Sequence, residues 1–309
     1  MRLGSERTRL AVAGARSVTT ADLGNQPRGD VVRGRIFWAL LLLAISIALL
    51  GLAVLLIDVL IDGSERFGPG LFTDQVSGIP ENGGFQTAII GSLWVIGGVI
   101  LFSVPIGVGA ALYLEEYANR ERWWNRLVEL NIQNLAAVPS IVYGILGLAF
   151  IVRGPLDLGF VALAASLTLT LLILPTIIIA AREAIRAVPP SIREGSLALG
   201  ATRWETTRLQ VLPAAIPGIL TGVILAVSRA FGEAAPVLLL GATTFITANT
   251  TNPFEDSYTV LPVQIFNYFG RAQDEWLQLA AAGILVMLIL VLAMNSVAIW
   301  LRNRYEQRW

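Results

Sequence analysis

An arginine and a glutamate four residues apart, Arg229 and Glu233, stand inside an apolar run that extends from Ala214 to Leu240. Arg229 lies thirteen residues past Ile216, about 20 Å along a helix at 1.5 Å per residue, which puts it near the middle of a bilayer. A guanidinium at that depth costs roughly 2.5–3.5 kcal/mol on insertion scales, so it marks a functional site by default. Its planar fork of donors matches the oxygens of a tetrahedral oxyanion. Glu233 falls on the same helical face and is expected to pair with it; the plainer reading is a structural ion pair that pins helix packing. Gly232 and Pro236 predict a kink that opens backbone groups toward an interior cavity. Ser140, Tyr143, Thr168 and Thr170 are candidate neutral donors, each of them more commonly a helix-packing hydroxyl.

A second feature is polar. Between two apolar runs, residues 182–213 carry five arginines, Arg182, Arg186, Arg193, Arg203 and Arg208. Pro189 and Pro190 interrupt what precedes. Ser191 with Glu194, and Thr202 with Glu205, each have the capping-box spacing, so two short helices are expected. Gly200 suits the left-handed residue that ends the first of them, and Pro213 marks entry to the next run. So much ordered polar chain in a membrane protein implies something that docks on it. The bland alternative is an amphipathic loop lying on the membrane surface.

These residues need a membrane scaffold, and composition supplies one. With 55% hydrophobic and 14% charged residues among 309 and a mean hydropathy of +0.68, the chain reads as an integral membrane protein. Six runs are long enough to cross a layer about 30 Å thick: 36–57, 85–114, 132–152, 158–181, 214–240 and 276–301. Residues 1–35 read as a flexible cytosolic tail ahead of an uncleaved anchor, 36–84 as the first span with its outer loop, 85–301 as the core, and 302–309 as a second tail. Seven arginines precede the first span, three follow the second (Arg120, Arg122, Arg126), five the fourth and three the sixth, whereas the opposite loops hold Arg66, Arg153 and Arg271. The positive-inside rule then sets both termini and the 182–213 segment in the cytosol. Trp38, Trp123, Trp124, Trp276 and Trp300 fit an interfacial belt. The spacing of Gly91, Gly97, Gly98, Gly107 and Gly109 suits close helix packing, and Pro105, Pro139 and Pro175 predict kinks. The loop 241–275 has a length that suits an external delivery protein, or simply solvent.

The chain contains no Cys, His or Lys. Thiol and imidazole catalysis, cysteine or histidine metal sites and lysine Schiff bases are therefore excluded. So is a Walker A loop, which needs Gly-Lys followed by Ser or Thr. No catalytic residue, metal site, cofactor or nucleic-acid surface is expected, and any ATP must be bound by another polypeptide.

Glu194, Gly195 and Ser196, then Gly200, then Leu212 and Pro213 resemble the EAA signature of ATP-binding-cassette importer permeases. Gly195 and Ser196 stand where alanines are usual, and Gln210 where an isoleucine is. The run Ser228–Pro236, the run Asn131–Gly144, the run Pro105–Tyr117 and Leu261–Ile265 narrow the likeness to the phosphate-specific permeases of PstA type, over roughly residues 36–301. The resemblance implies an all-α polytopic protein of six transmembrane helices with a type I, MetI-like permease core in the cell membrane. It implies Glu194, Gly195, Ser196 and Gly200 as the surface that couples to a PstB-type ATPase dimer, and Arg229 as the cation that contacts inorganic phosphate. A PstC-type sister permease and a PstS-type binding protein would complete the assembly. The competing class is a self-contained anion channel or secondary carrier with Arg229 and Glu233 as its filter, for which the docking segment has no evident use.

Overall fold

The computed structural model describes residues 28–119, 121–242, 246 and 248–305. The proposed tail up to residue 27, Arg120 and residues 306–309 lie outside them. In chain order the principal helices are α1 (Arg28–Ser64), α2 (Gln86–Tyr117), α3 (Trp123–Ala136), α4 (Ser140–Val152), α5 (Ala162–Arg186), α6 (Pro190–Ala198), α7 (Arg203–Phe231), α8 (Ala235–Leu239), α9 (Leu261–Phe269) and α10 (Asp274–Tyr305). Five of these, α1, α2, α5, α7 and α10, are long and apolar enough to cross a membrane, and α3 with α4 makes a sixth if that bent pair is one span. An unbroken helix satisfies every backbone group of its own segment, which is the condition for crossing hydrocarbon.

Residues 1–58 and 59–309 form two units. The described part of the first is α1 as far as Asp58, apolar on every side in its membrane window. In the second, α5 is the central helix, with 61% of its apolar window buried against 33% for α2 and 39% for α7. Small residues bring its neighbours close: a Cβ on Gly98 or Gly107 of α2 would meet Ser166 or Ile177 of α5 at 2.5 and 2.6 Å, and one on Gly218 of α7 would meet Ala184 of α5 at 2.8 Å. Gly222 abuts Ala180 in the same way. Gly91 packs on Thr259, whereas Gly97 and Gly109 face open space. Close backbone approach of this kind is what holds helices together where no hydrophobic driving force acts between them.

Two spans differ from the sequence reading. The third, expected as one helix over 132–152, is broken between Ala136 and Ser140 with a bend of 103°. Pro139 has no N–H to donate and keeps Val138 out of the helical region, so the chain turns and restarts at Ser140. The fifth, expected to reach Leu240, stops at Phe231 and resumes as the five-residue α8. Pro105 and Pro175, by contrast, sit inside unbroken helices. The loop 241–275 is also more than a solvated connection: it folds α9 inward, with Leu261, Gln264 and Tyr268 fully buried and Tyr268 packed edge-on against Phe85, just ahead of α2. Its tip, near the 64%-exposed Phe254, faces outward. There the Asp256 carboxylate accepts from the N–H groups of Asn252 and Thr251 and from the Thr251 hydroxyl, and these bonds hold its pKa below the usual carboxylate range.

Candidate functional site

Arg229 occupies the last turn of α7, where the free carbonyls of the helix end favour a cation. Gly218 against Ala184 and Gly222 against Ala180 set an antiparallel register between α7 and α5. Extended along α7, that register brings Arg229 level with Ile173, close to the middle of α5.

The expected pair with Glu233 is not formed. Because α7 ends at Phe231, the two residues no longer share a helical face, and i,i+4 spacing loses its meaning. Glu233 turns inward, toward a void of about 10 Å³ bounded by Ser92, Val95, Leu169, Phe231 and Val260, space for about one water. Arg229 is exposed, as are Leu225 on the same face of α7 and Gly232 just past its end. Among the described residues it makes no ion pair, side-chain hydrogen bond or ring contact. Its neighbour Ser228 is anchored instead: its Oγ donates to the Ile224 carbonyl (2.7 Å) and meets the Asn295 side-chain amide of α10 at 2.6 Å.

The two helix breaks adjoin each other. A Cβ on Gly144 would stand 2.7 Å from Pro236 Cα, and one on Gly147 would stand 3.0 Å from Leu240, so α4 and α8 run in parallel register. Carried back along that register, Ser140 comes alongside the Gly232–Glu233 break. Ser140 is half-buried. Tyr143 is 6% exposed and its hydroxyl donates to the Leu135 carbonyl at 2.9 Å, an acceptor that Pro139, without an N–H, cannot engage and that also takes the Val138 N–H. Its proton is therefore engaged in closing the bend. Thr168 Oγ1 bonds back to the Ala164 carbonyl and abuts Gly147, the packing role, while Thr170 is buried on the central helix. Gly144→Val is expected to wedge the breaks apart and to destabilise the protein by about 1–3 kcal/mol, the usual cost of overpacking. A lowered Tm of the detergent-solubilised protein measures it, and an unchanged Tm would mean that α4 and α8 separate freely.

At the arginine-rich end, α6 has no buried residue. Glu194 and Gly195 are exposed, a Cβ on Gly195 would meet nothing within 4 Å, and Leu199 is 91% exposed. Leu197, Trp204 and Leu209 add apolar surface beside it. Gly200 takes φ +89°, the left-handed conformation expected of it. The second capping box forms as expected: the Glu205 N–H donates to Thr202 Oγ1, and the Glu205 carboxylate accepts from the Thr202 N–H and hydroxyl. Those bonds, the backbone one first, hold the Glu205 pKa below the ordinary range. The first box does not form, because the helix begins at Pro190 with Pro189 as its cap and Ser191 falls inside it. The second short helix is not separate either; it is the first turn of α7, joined to the rest of that helix through a π turn at Thr207–Val211. Pro213 would clash with the Leu209 carbonyl in a regular turn, and the wider turn relieves this. Ser196 reaches from α6 to Thr206 of α7 at 2.9 Å.

The sequence reading missed an ionic cluster just behind this face. Glu115 and Glu116 end α2 in a second π turn, Tyr113–Tyr117. Glu115 pairs with Arg182 (3.5 Å) and Arg186 (3.1 Å), and Arg182 also with Glu129 of α3 (2.9 Å). Glu116 pairs with Arg193 of α6 (2.9 Å). From sequence these arginines mark orientation and a docking segment, with no carboxylate partner assigned to them.

Residues 103–309 match the family described as the inner membrane component of binding-protein-dependent transport systems. The probable ABC transporter permease protein YqgI of Bacillus subtilis is 33% identical over 79% of this chain and 86% of its own length. The phosphate transport system permease protein PstA of Haemophilus influenzae is 32% identical over 82% of this chain and 88% of its own. Among solved structures, a bacterial alginate ABC transporter in complex with an alginate-bound periplasmic protein aligns with a TM-score of 0.62 at 17% identity, covering 89% of this chain and 96% of that one. The inward-facing MetNI methionine ABC transporter aligns at 0.55 and 16%, over 72% and 95%. An all-helical polytopic fold, an exposed helix bearing Glu194, Gly195 and Ser196 just ahead of Gly200, and these matches lead to one conclusion: the chain belongs to the family of inner membrane components of binding-protein-dependent transport systems.

Proposed function

We propose that this chain is the membrane-spanning permease subunit of an ATP-driven importer of inorganic phosphate. The observation that carries the reading is Arg229, an exposed guanidinium of α7 level with the middle of α5 that has no partner among the described residues. Facing lipid, it would incur the cost of an isolated charge in hydrocarbon. Facing a sister permease of PstC type, it lines a path between the two subunits and meets a tetrahedral oxyanion with a bidentate fork. The names borne by relatives such as PstA of Haemophilus influenzae support phosphate as that anion. Glu233 and Ser140 stand at the adjoining breaks, where Glu233 accepts a hydrogen bond from a protonated phosphate oxygen and Ser140 donates one. Tyr143 acts by holding the break in shape.

In this reading the termini and α6 are cytosolic, in keeping with the arginine distribution. The exposed Glu194, Gly195 and Leu199, with Gly200 and the Ser196 link, form the surface that docks on a PstB-type ATPase dimer. A PstS-type protein delivers phosphate at the opposite face. ATP is bound by the partner, since this chain has no Walker A loop.

Reconstitution of this chain with its sister, ATPase and binding protein in liposomes tests the proposal. Phosphate uptake that requires internal or external ATP on the ATPase side, in preference to sulfate, is expected. Phosphate flux by the chain alone would overturn the importer reading in favour of a channel or carrier. Equal uptake of sulfate would remove the role given to Glu233.

A further inference from the structure

We infer that Arg193 is the positioning residue through which movement of the docking helix reaches the membrane spans; this rests on the importer reading above and assigns a route within it. Arg193 lies on α6 next to the exposed Glu194, yet its side chain turns back toward the membrane and is only 22% exposed. Its guanidinium makes four bonds in two directions. Nε and Nη2 donate to Glu116 Oε1 at 3.1 and 2.9 Å, which ties α6 to the end of α2. Nη1 donates to the Val188 carbonyl at 2.6 Å and Nη2 to the Ile185 carbonyl at 2.8 Å, which ties it to the end of α5.

Those two carbonyls belong to the last turn of α5 and the residues after it, where helix geometry leaves acceptors without internal partners. A cation there is also favoured by the helix dipole. One rigid planar group therefore caps the central span and binds its closest neighbour at once, which a lysine ammonium has too few fixed donors to do. The π turn at Tyr113–Tyr117 makes this possible. It aims the consecutive carboxylates apart, Glu115 to Arg182 and Arg186, and Glu116 to Arg193. Arg182 and Glu129 then extend the contact to α3, the helix that leads into the break at Pro139. A displacement of α6 is passed to α2 and α5 through Arg193, whereas Ser196 offers only a hydroxyl contact to α7.

The test uses the full complex in proteoliposomes, with wild type, Arg193→Gln, Arg193→Lys and Glu116→Gln, and reads phosphate taken up per ATP hydrolysed together with the amount of ATPase subunit that co-purifies. Arg193→Gln is expected to lower the uptake-to-hydrolysis ratio at least tenfold while the ATPase stays bound, because the side chain does not point into the docking face. Arg193→Lys and Glu116→Gln, which each keep part of the link, are expected to fall between. A ratio unchanged from wild type overturns the inference, whether uptake and hydrolysis both persist or both decline in step. Loss of the ATPase in both Arg193→Gln and Glu116→Gln assigns these residues to folding and overturns it as well. Absence of ATP-driven phosphate uptake in the wild-type complex would instead sink the importer reading itself.

Discussion

Arg229→Gln is expected to abolish phosphate uptake while leaving the assembled complex intact. The two halves of that result have separate causes. Assembly survives because the guanidinium has no partner within the described chain, so its removal strands no buried carboxylate, the event that makes broken ion pairs so destabilising. Transport fails because a bidentate contact to an oxyanion contains two charge-assisted hydrogen bonds, each worth about 1.5–3 kcal/mol. At 1.4 kcal/mol per factor of ten, their loss lowers uptake by about a hundredfold or more. Arg229→Lys keeps the charge but not the planar fork and is expected to retain part of the activity. Radiolabelled phosphate uptake into proteoliposomes, beside co-purification of the ATPase, decides the matter. Retention of more than a tenth of wild-type uptake, or collapse of the complex, would return Arg229 to a packing role.

The second large effect is expected at the docking face. Glu194→Arg reverses the charge on an exposed position of α6, and Gly200→Val places a β-branched side chain at φ +89°. The left-handed conformation costs an L-residue roughly 1–2 kcal/mol, more when it is β-branched. Nothing stands within 4 Å of a Cβ at residue 200, so the harm comes from the backbone turning away rather than from a clash. The corner between α6 and α7 then opens, and Leu199 and Trp204 leave the positions that a partner groove would match. Both changes are expected to weaken ATPase binding at least tenfold in a pull-down, with the Arg229 region undisturbed. Undiminished binding by either variant would place the docking surface elsewhere.

Where the chain is apolar for a long distance, its spans could be read from composition: α2, α5 and α10 begin and end within a few residues of the runs expected. Local chemistry was equally readable at Gly200 and at the Thr202–Glu205 cap, because each depends on residues at most three apart. The breaks at Pro139 and after Phe231 were not, since hydropathy averages over a window and cannot tell a kink from a 103° bend. Leu238, Leu239 and Leu240 prolong the apolar signal of α7 past its true end, and with it went the expected pairing of Arg229 with Glu233. The ionic cluster was hidden for a different reason. Arg193 and Glu116 are 77 residues apart, and nothing in either local stretch indicates the other.

The seam between the fourth and fifth spans has a mechanical meaning. Gly218 and Gly222 lie flat against Ala184 and Ala180, while between them Ile219 is buried in the same apolar cluster as Ile178 and Ile185 of the opposite helix. Interlocked leucines would have to change rotamer before one helix could roll on the other. Here a smooth glycine stretch and the buried Ile219 share one contact, so the helix that carries the guanidinium lies close against the core and is keyed to it at the same time.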